Sequence, residues 1–278
     1  MGDVLMSGKA WTYEKCEKMI KEGRGSGELE NYIPWIQVYD LSSKGYSVRI
    51  PGLKTNRIHH FLSNLEYHYF LMLSHSKKVI DIREQFPLLN VTKAMGIAKE
   101  KGIKYPIDQN TKVPHILTTD FMITIQNKDR MKMVARTIKP SSELNKKRTL
   151  EKLEIERAYW NKYNIDWAIV TEKELENQRI INLKLLYHAN LVVSQKFSYT
   201  LLKRLALSMY YKLSSSNKLL FVELKEFEKE FFLEYGGGLS IFYYLIFHHV
   251  INLDINQKID IQTINCQVLQ FENKEGFL

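Results

Sequence analysis

Residues 118–139 consist of two strand-like segments separated by a short polar turn. The first covers residues 118–125, the second covers 131–139, and Asn127, Lys128 and Asp129 lie between them. A turn this short makes the two strands antiparallel neighbours, and Pro140 ends the second strand because proline has no N–H to donate to a ladder. Every fold open to this chain must therefore contain this strand pair.

The segments around this pair alternate between helix and strand patterns. Helices are predicted at residues 12–21, 63–74 and 148–163, and strands at 32–39, 46–50, 79–83 and 165–170, with a turn at 42–45. Three prolines make residues 87–114 a predicted loop region. From residue 63 to 170 the order is helix, three strands, helix, strand, which favours an α/β domain with a mixed sheet flanked by helices.

The pattern changes near residue 172. Residues 173–250 read as successive helices, and a small hairpin is predicted from strands at 250–253 and 259–261 around a turn at 256–258. We therefore expect two domains, residues 1–172 and 173–278. A helix followed by a hairpin is the order of a winged helix, a module that binds DNA or proteins. The second domain is therefore expected to be a mainly α, winged-helix-like domain that binds partners and DNA, although its near-neutral charge argues against strong non-specific DNA binding.

Basic charge is concentrated in the first domain. The whole chain has a formal charge of +9; residues 1–172 contain 28 Lys and Arg against 20 Asp and Glu, and residues 173–278 contain 12 against 11. Such an excess is typical of proteins that meet polyanions such as nucleic acid or anionic membranes, although mild basicity with no specific partner stays open.

Composition excludes several classes of protein. Of the 278 residues 45% are hydrophobic and 12% aromatic, with 13 Gly and 6 Pro, which excludes a disordered or collagenous chain. Cys16 and Cys266 cannot form a disulfide framework, so a reducing compartment is expected. The longest apolar segment, residues 239–247, is about half the roughly 20 residues of a membrane span, and no signal peptide is recognised. We expect a cytoplasmic protein without a membrane partner.

Four residues of the first domain are candidates for chemistry. Asp120 lies near the start of one strand, Thr137 and Lys139 lie near the end of its neighbour on one face, and Glu66 lies on the preceding helix. Two carboxylates beside a lysine suit metal-assisted phosphodiester hydrolysis, since hard oxygen ligands hold Mg²⁺. Structural roles stay open: Glu66 completes a capping box with Ser63, Asp120 could cap a turn, and Lys139 could be a solvated strand end.

Two other groups are expected to play lesser roles. Asp81 and Arg83 alternate on a strand and are interpreted mainly as a structural ion pair, with contact to the site residues or to DNA as the alternatives. The histidines at positions 59, 60 and 68 lack zinc spacing with cysteine and are expected at the surface or at a DNA edge.

Several multi-residue motifs resemble one family. They are RIHHFLSNLE at 57–66, DIREQFPL at 81–88, TTDF at 118–121, IKP at 138–140 and RTLEKLEIER at 148–157, with EGRG at 22–25 and YIPW at 32–35. Their order over residues 18–172 is similar to that of the TnsA family, the endonuclease subunits of heteromeric cut-and-paste transposases. Beyond residue 172 the resemblance rests on position and helical content.

The resemblance implies a restriction-endonuclease-like fold for the first domain and a set of site residues. Glu66 and Asp120 would be metal ligands together with the backbone carbonyl of Ile138, Lys139 would be the active-site lysine, and Glu156 would be a catalytic-site glutamate that holds Lys139. The implied cofactor is Mg²⁺, as two ions, with Mn²⁺ as a substitute. Two departures stand out: Thr137 replaces an acid or glutamine, and Thr119 replaces a proline.

The resemblance also implies a function and partners. The chain would cleave double-stranded DNA at the 5′ ends of a transposon, while a DDE transposase cuts and joins the 3′ ends and an AAA+ ATPase regulator docks on the C-terminal domain. Two alternatives are a stand-alone restriction or repair nuclease of the same fold and a non-catalytic architectural subunit.

Overall fold

The chain divides into two compact units, Met1–Leu175 and Glu176–Leu278. The computed structural model describes residues 10–40, 46–128, 130–175 and 177–272. The sequence pattern changes near residue 172, close to this division. The catalytic and partner-binding roles assigned to the two parts stay predictions.

The first unit contains most of the strands. Its elements are α1 (Tyr13–Lys21), β1 (Val48–Pro51), β2 (Ile58–Phe61), α2 (Asn64–His75), β3 (Val79–Pro87), α3 (Val91–Glu100), β4 (Thr118–Asn127), β5 (Arg130–Ile138), α4 (Lys147–Asn161), β6 (Asp166–Val170) and α5 (Glu172–Leu175). The predicted order of helix, three strands, helix and strand is present, with α3 inserted between β3 and β4.

A mixed four-stranded sheet organises this unit. Its strand order is β3-β4-β5-β6, with antiparallel pairing from β3 to β5 and parallel pairing of β5 with β6. A parallel neighbour requires a crossover connection, and α4 provides it. The antiparallel register, with Asn127 opposite Arg130 and Phe121 opposite Arg136, brings the start of β4 beside the end of β5.

Apolar side chains cover both faces of the sheet. On one face Met122 and Ala135 lie in a buried cluster with Ile97 of α3 and Ile155 of α4. On the other face the Phe121 ring lies 5.9 Å from the Phe61 ring, and Phe61 in turn lies 4.8 Å from Phe70 of α2. The alternation of β4 therefore places successive side chains into two separate cores.

The second unit is mainly helical. Its elements are α6 (Gln178–Lys196), α7 (Tyr199–Ser214), α8 (Leu220–Glu230), α9 (Gly237–Phe247), β7 (Ile251–Asn252) and β8 (Gln270–Phe271). The apolar α9 packs against α6, α7 and α8, which confirms the prediction of successive helices. No helix of the described residues is both long and apolar enough to cross a membrane.

Two predictions in the N-terminal half were wrong. Residues 32–39 do not form a strand: Pro34 interrupts the ladder, the Trp35 side chain is buried with Trp11, and residues 38–40 form a 3₁₀ turn. The predicted loop region contains α3, whose N-cap Asn90 accepts a hydrogen bond from the N–H of Lys93. The turn predicted at 42–45 lies outside the described residues.

The predicted C-terminal hairpin was also wrong. The strand β7 pairs with β8, not with residues 259–261. The carbonyls of Ile261 and Ile264 instead accept hydrogen bonds from the first N–H groups of α8, at Phe221 and Leu220. Because a helix start leaves its N–H groups without intrahelical partners, the 261–264 segment satisfies them and is not available for the hairpin.

A buried carboxylate ties the β2 region to β3. Glu84 is fully buried and accepts hydrogen bonds from both terminal nitrogens of Arg57, at 2.8 and 2.6 Å, from the Nδ1 atom of His59 at 2.8 Å and from the backbone N–H of His60 at 3.0 Å. Although burial alone would raise its pKa, His59 and Arg57 hold the pKa of Glu84 well below its usual range. The expected surface placement of His59 and His60 was wrong, since both are buried.

Removal of this charge should destabilise the first unit. Glu84→Gln would leave the Arg57 guanidinium, whose side chain is 7% exposed, without its anionic partner. We expect a loss of about 3 kcal/mol in the free energy of unfolding, because a broken buried pair leaves an uncompensated charge. All four tryptophans, at positions 11, 35, 160 and 167, lie in the first unit, so tryptophan fluorescence during urea unfolding reports on that unit.

A surface carboxylate supplies the matched control. The side chain of Glu154 is about one third exposed and pairs with Arg157 and Lys101, so Glu154→Gln should cost less than about 1 kcal/mol. Equal losses for the two variants would contradict a structural role for the buried Glu84 network.

Candidate active site

The carboxylate of Asp120 joins the start of β4 to the end of β5. Its Oδ2 atom accepts hydrogen bonds from the backbone N–H of Ile138 at 2.7 Å and from the Nζ atom of Lys139 at 2.9 Å. The Nζ atom of Lys139 also donates to the carbonyl of Ile138 at 2.9 Å. Asp120 and Lys139 are therefore in direct contact, as expected from the antiparallel strand pair.

Glu66 caps the start of α2 and also lies near Asp120, the two roles that the sequence left as alternatives. It lies in the first turn of α2, where its Oε2 atom accepts from the N–H of Leu62 at 3.0 Å and its Oε1 atom from the hydroxyl of Ser63 at 2.9 Å. The same hydroxyl accepts from the N–H of Glu66 at 3.2 Å. These bonds fix the carboxylate, which is 2% exposed, toward β3 and β4.

Gln85 links Glu66 to Asp120, and sequence reasoning did not identify it. Its amide Nε2 atom lies 3.4 Å from Oε2 of Glu66 and 3.5 Å from Oδ1 of Asp120. Its amide oxygen accepts a hydrogen bond from the hydroxyl of Thr118 at 3.0 Å. The motif DIREQFPL contains Gln85, but strand alternation alone does not say where its side chain lies.

Glu156 does not contact the lysine it was expected to hold. It accepts hydrogen bonds from the hydroxyl of Thr137 and, at 2.9 Å, from the indole N–H of Trp167 on β6. The Nζ hydrogen bonds of Lys139 go to Asp120 and Ile138. Thr137 therefore orients Glu156, and Trp167 is a second contributor that the sequence pattern did not indicate.

Burial shifts the pKa values of the carboxyls in the site. Burial first, and then the charge of Asp120, raise the pKa of Glu66 to about 7. The same two causes raise the pKa of Glu156 to about 7, despite its hydrogen bonds from Thr137 and Trp167. Burial would lower the pKa of Lys139, but Asp120 and the two glutamates outweigh it and raise the pKa. Lys139 is therefore protonated at neutral pH.

The site has the donor set of a hard divalent cation. Glu66 and Asp120 present two carboxylates and Ile138 presents a carbonyl, all oxygen donors of the kind that Mg²⁺ binds while it keeps several waters. The carboxyls of Glu66, Asp120 and Glu156 are all buried, and burial first, then the charge of Asp120, raises the pKa of Glu66. Among the described residues, no group of three or more His, Cys, Asp or Glu side chains is arranged to hold a metal ion.

A cleft opens onto part of this site. It has a volume of about 350 Å³, and its lining includes Asp120, Lys139 and Glu156. Lys146, Arg148 and Lys152 line the same cleft, from the start and first turns of α4. Positive charge beside a buried acidic site suits a substrate that carries phosphate groups.

Comparisons with known proteins agree with the motifs. A family model described as TnsA-like endonuclease N terminal matches residues 76–172, and one described as TnsA endonuclease C terminal matches residues 174–255. The chain is 38% identical over 223 residues to the transposition protein TnsA of transposon Tn7 from Escherichia coli. That match covers 80% of this chain and 79% of the relative.

The raised pKa values should make the stability of the metal-free protein depend on pH. Glu66 and Glu156 shift from an ordinary 4.5 to about 7, so between these values the folded state binds more protons than the unfolded state. The free energy of unfolding contributed by these groups therefore falls as the pH rises. In thermal unfolding with a chelator, Glu66→Gln and Glu156→Gln should each lose part of this decline between about pH 5 and pH 8.

Glu154→Gln, on the surface of the same helix as Glu156, is the control and should keep the wild-type pH dependence, because the pKa of Glu154 is lowered to about 2 and lies outside this window. Identical pH dependence in Glu156→Gln and wild type would argue against a raised pKa at that position.

Proposed function

Because the chain belongs to the TnsA family of transposon endonucleases, we propose that Glu66, Asp120 and Lys139 hydrolyse DNA at the 5′ ends of a transposon. The observation that supports this role for the site most directly is the contact between Asp120 and Lys139 beside a second buried carboxylate. A subunit that only bound partners would have no need of an ammonium and three buried carboxyls at one end of a sheet.

The proposed fold of the first unit, restriction-endonuclease-like, is supported by its strand order and by the α4 crossover.

Mg²⁺ is the proposed cofactor, with Mn²⁺ as a substitute and two ions as the full complement. Glu66, Asp120 and the carbonyl of Ile138 would hold it. When bound, such a cation polarises the phosphate and lowers the pKa of a water molecule. Its charge would also balance the negative charge that the three carboxyls bring into the protein interior.

Lys139 is proposed to act as a fixed positive charge. Its raised pKa keeps the ammonium protonated at neutral pH, so it can donate hydrogen bonds to a phosphate oxygen or to the attacking water but cannot serve as a base. Its side chain is 16% exposed and lines the cleft, which leaves it within reach of a substrate. Asp120 orients this ammonium through Oδ2.

Glu156 is proposed to accept a proton near neutral pH. Its pKa of about 7 allows both protonation states at that pH, and general acid–base groups work best when their pKa lies near the operating pH. Thr137 and Trp167 hold the carboxyl in place. The hydroxyl of Thr137 is thereby committed to Glu156, so the metal ligand set does not depend on it.

The second unit is proposed to bind partner proteins, a DDE transposase subunit and an AAA+ ATPase regulator among them. Its order of α7, α8, α9, β7 and β8 supports a winged-helix-like fold. The helix α9 contains no charged residue, which is unsuited to contact with DNA phosphates. Phe232 and Tyr235, in the loop before α9, are 95% and 93% exposed, and exposed aromatic side chains are typical of protein contacts. With DNA as substrate, we propose a cytoplasmic location near the nucleoid.

Substitution of Asp120 tests the proposed active site. Asp120→Asn removes the charge that holds Lys139 and one metal ligand, so we expect 5′-end cleavage to fall below detection in a transposition reaction with the partner transposase. Cleavage of the 3′ ends by that partner should continue. Gel analysis of both strands at the transposon end distinguishes the two products.

The matched control is Asp166→Asn, since the side chain of Asp166 is about half exposed and pairs with Arg136 at the surface; this variant should cleave like wild type. Full double-strand excision by Asp120→Asn would exclude the proposed site. Sequence-specific cutting of plasmid DNA by the wild-type chain alone with Mg²⁺ would instead favour a stand-alone nuclease.

The cationic wall of the cleft should bind DNA phosphates. Replacement of Lys146, Arg148 and Lys152 by glutamine should weaken binding of transposon-end DNA and reduce its salt dependence, by about 0.9 in the slope of log K against log salt for each phosphate that is no longer neutralised. Binding measured by fluorescence anisotropy at several KCl concentrations gives this slope.

A control triple variant replaces Lys225, Lys229 and Lys258, exposed lysines of the second unit, and should keep the wild-type slope. An equal change of slope in the two triple variants would show that the basic residues of the cleft have no special role.

A further inference from the structure

The backbone of β3 is left-handed at a single buried position in the site. Gln85 has a φ of 49°, while its neighbours Glu84 and Phe86 pair normally with Phe121 and Thr119 of β4. The carbonyl of Gln85 leaves the ladder and accepts a hydrogen bond from the N–H of Trp35 at 3.3 Å. Residues other than glycine and asparagine adopt this conformation at a cost in energy, so the backbone alone does not favour glutamine here.

The side chain gives the reason for glutamine. It is 2% exposed, and its Nε2 atom lies between Oε2 of Glu66 and Oδ1 of Asp120, which are on different elements of the fold. An ionised carboxylate only accepts hydrogen bonds, so the amide must turn its NH₂ group toward the two acids. The hydroxyl of Thr118 donates to the amide oxygen and holds the amide in that orientation.

The remaining donors around the two acids act on each acid separately. Ile138 and Lys139 donate to the other oxygen of Asp120, and the N–H of Leu62 donates to Glu66. Among the described hydrogen bonds, those from the Gln85 amide are the ones shared by both carboxylates. The left-handed turn at Gln85 is what carries this amide from the strand to the space between them.

We propose that Gln85 is a positioning residue of the metal site: its amide aligns the carboxylates of Glu66 and Asp120 for a shared divalent cation. The inference rests on the proposed metal-dependent cleavage. Hydrogen bonds to ligating carboxylates restrict their orientation, and loss of such a partner lowers metal affinity by about 10- to 100-fold. A role limited to filling space would be served equally well by an apolar side chain of the same length.

Calorimetric titration of the full-length chain with MnCl₂, without DNA, tests the proposal. Gln85→Met keeps the length of the side chain and removes the amide, and should bind Mn²⁺ about 10- to 100-fold more weakly than wild type. In cleavage assays with the partner transposase, the metal concentration that gives half the maximal rate should rise, while the maximal rate changes less. Unchanged or tighter Mn²⁺ binding would overturn the proposal.

Two further substitutions separate the amide from the backbone. Gln85→Gly fits the left-handed conformation and lacks the amide, so it should bind Mn²⁺ as weakly as Gln85→Met. It tests the same proposal if Gln85→Met does not fold. Gln85→Asn keeps an amide and tolerates the conformation, so its Mn²⁺ affinity should fall between those of wild type and Gln85→Gly. Wild-type affinity in Gln85→Gly would show that only the turn matters, against the proposal.

The controls separate this proposal from the proposed function. Gln126→Met makes the same substitution on β4 at an exposed position beside the hairpin turn and should leave Mn²⁺ binding unchanged. If wild type binds Mn²⁺ and Asp120→Asn does not, while Gln85→Met binds like wild type, the role of Gln85 is excluded and the metal site stands. If wild type itself does not bind Mn²⁺, both proposals fail.

Discussion

The two hydrogen bonds to Oδ2 of Asp120 hold the site together. One comes from the backbone N–H of Ile138 and the other from the ammonium of Lys139, so a single oxygen fixes both the end of β5 and its lysine. This contact requires the start of β4 to lie beside the end of β5, which the antiparallel register from Asn127 and Arg130 onward provides. The register at the far end of the strands therefore sets the geometry of the site. A 3₁₀ helix at Ser141–Asn145 connects β5 to α4, which carries Glu156.

The net charge of the first unit is positive, but the charge of its buried site is negative. The residues 1–172 carry a basic excess of eight, yet the innermost polar groups of the site are acidic, with Glu66, Asp120 and Glu156 all buried. Burial, and after it the charge of Asp120, raises the pKa values of Glu66 and Glu156 to about 7. Three of the basic residues, Lys146, Arg148 and Lys152, line the cleft, where a polyanion can reach them. Under the proposed function, the basic cleft wall attracts DNA, and the buried carboxyls favour a cation where cleavage is proposed.

The sequence predicts the parts of the fold that depend on local pattern. The turn at 127–129 and the polar run of α4 specify the strand pair and the crossover, and with them the meeting of Asp120 and Lys139. Sequence patterns fail where long-range contacts determine the local structure. The helix α3 forms between prolines because Ala94 and Ile97 are buried in the core. Residues 261–264 form hydrogen bonds with the start of α8 instead of pairing with β7. In the site, the role of Gln85 could not be predicted, because a left-handed residue breaks the alternation of side chains that strand patterns assume. The role of Trp167 could not be predicted, because its contact joins β6 to α4, which the sequence pattern does not show.

Thr137 stands where the resemblance to the TnsA family predicts an acid or a glutamine, and its hydrogen bond to Glu156 offers a reason why a threonine suits this position. An acid at position 137 would add a fourth buried carboxyl beside Glu66, Asp120 and Glu156, and so raise the cost of burying their charge further. Thr137 instead donates a hydrogen bond to Glu156, which stabilises the ionised form of that carboxyl. The substitution therefore removes a possible ligand and lowers the pKa of Glu156 from the value that burial alone would give. Because Ile138 presents a backbone carbonyl that no side-chain change can delete, the oxygen donors contributed by the end of β5 do not depend on the residue at position 137.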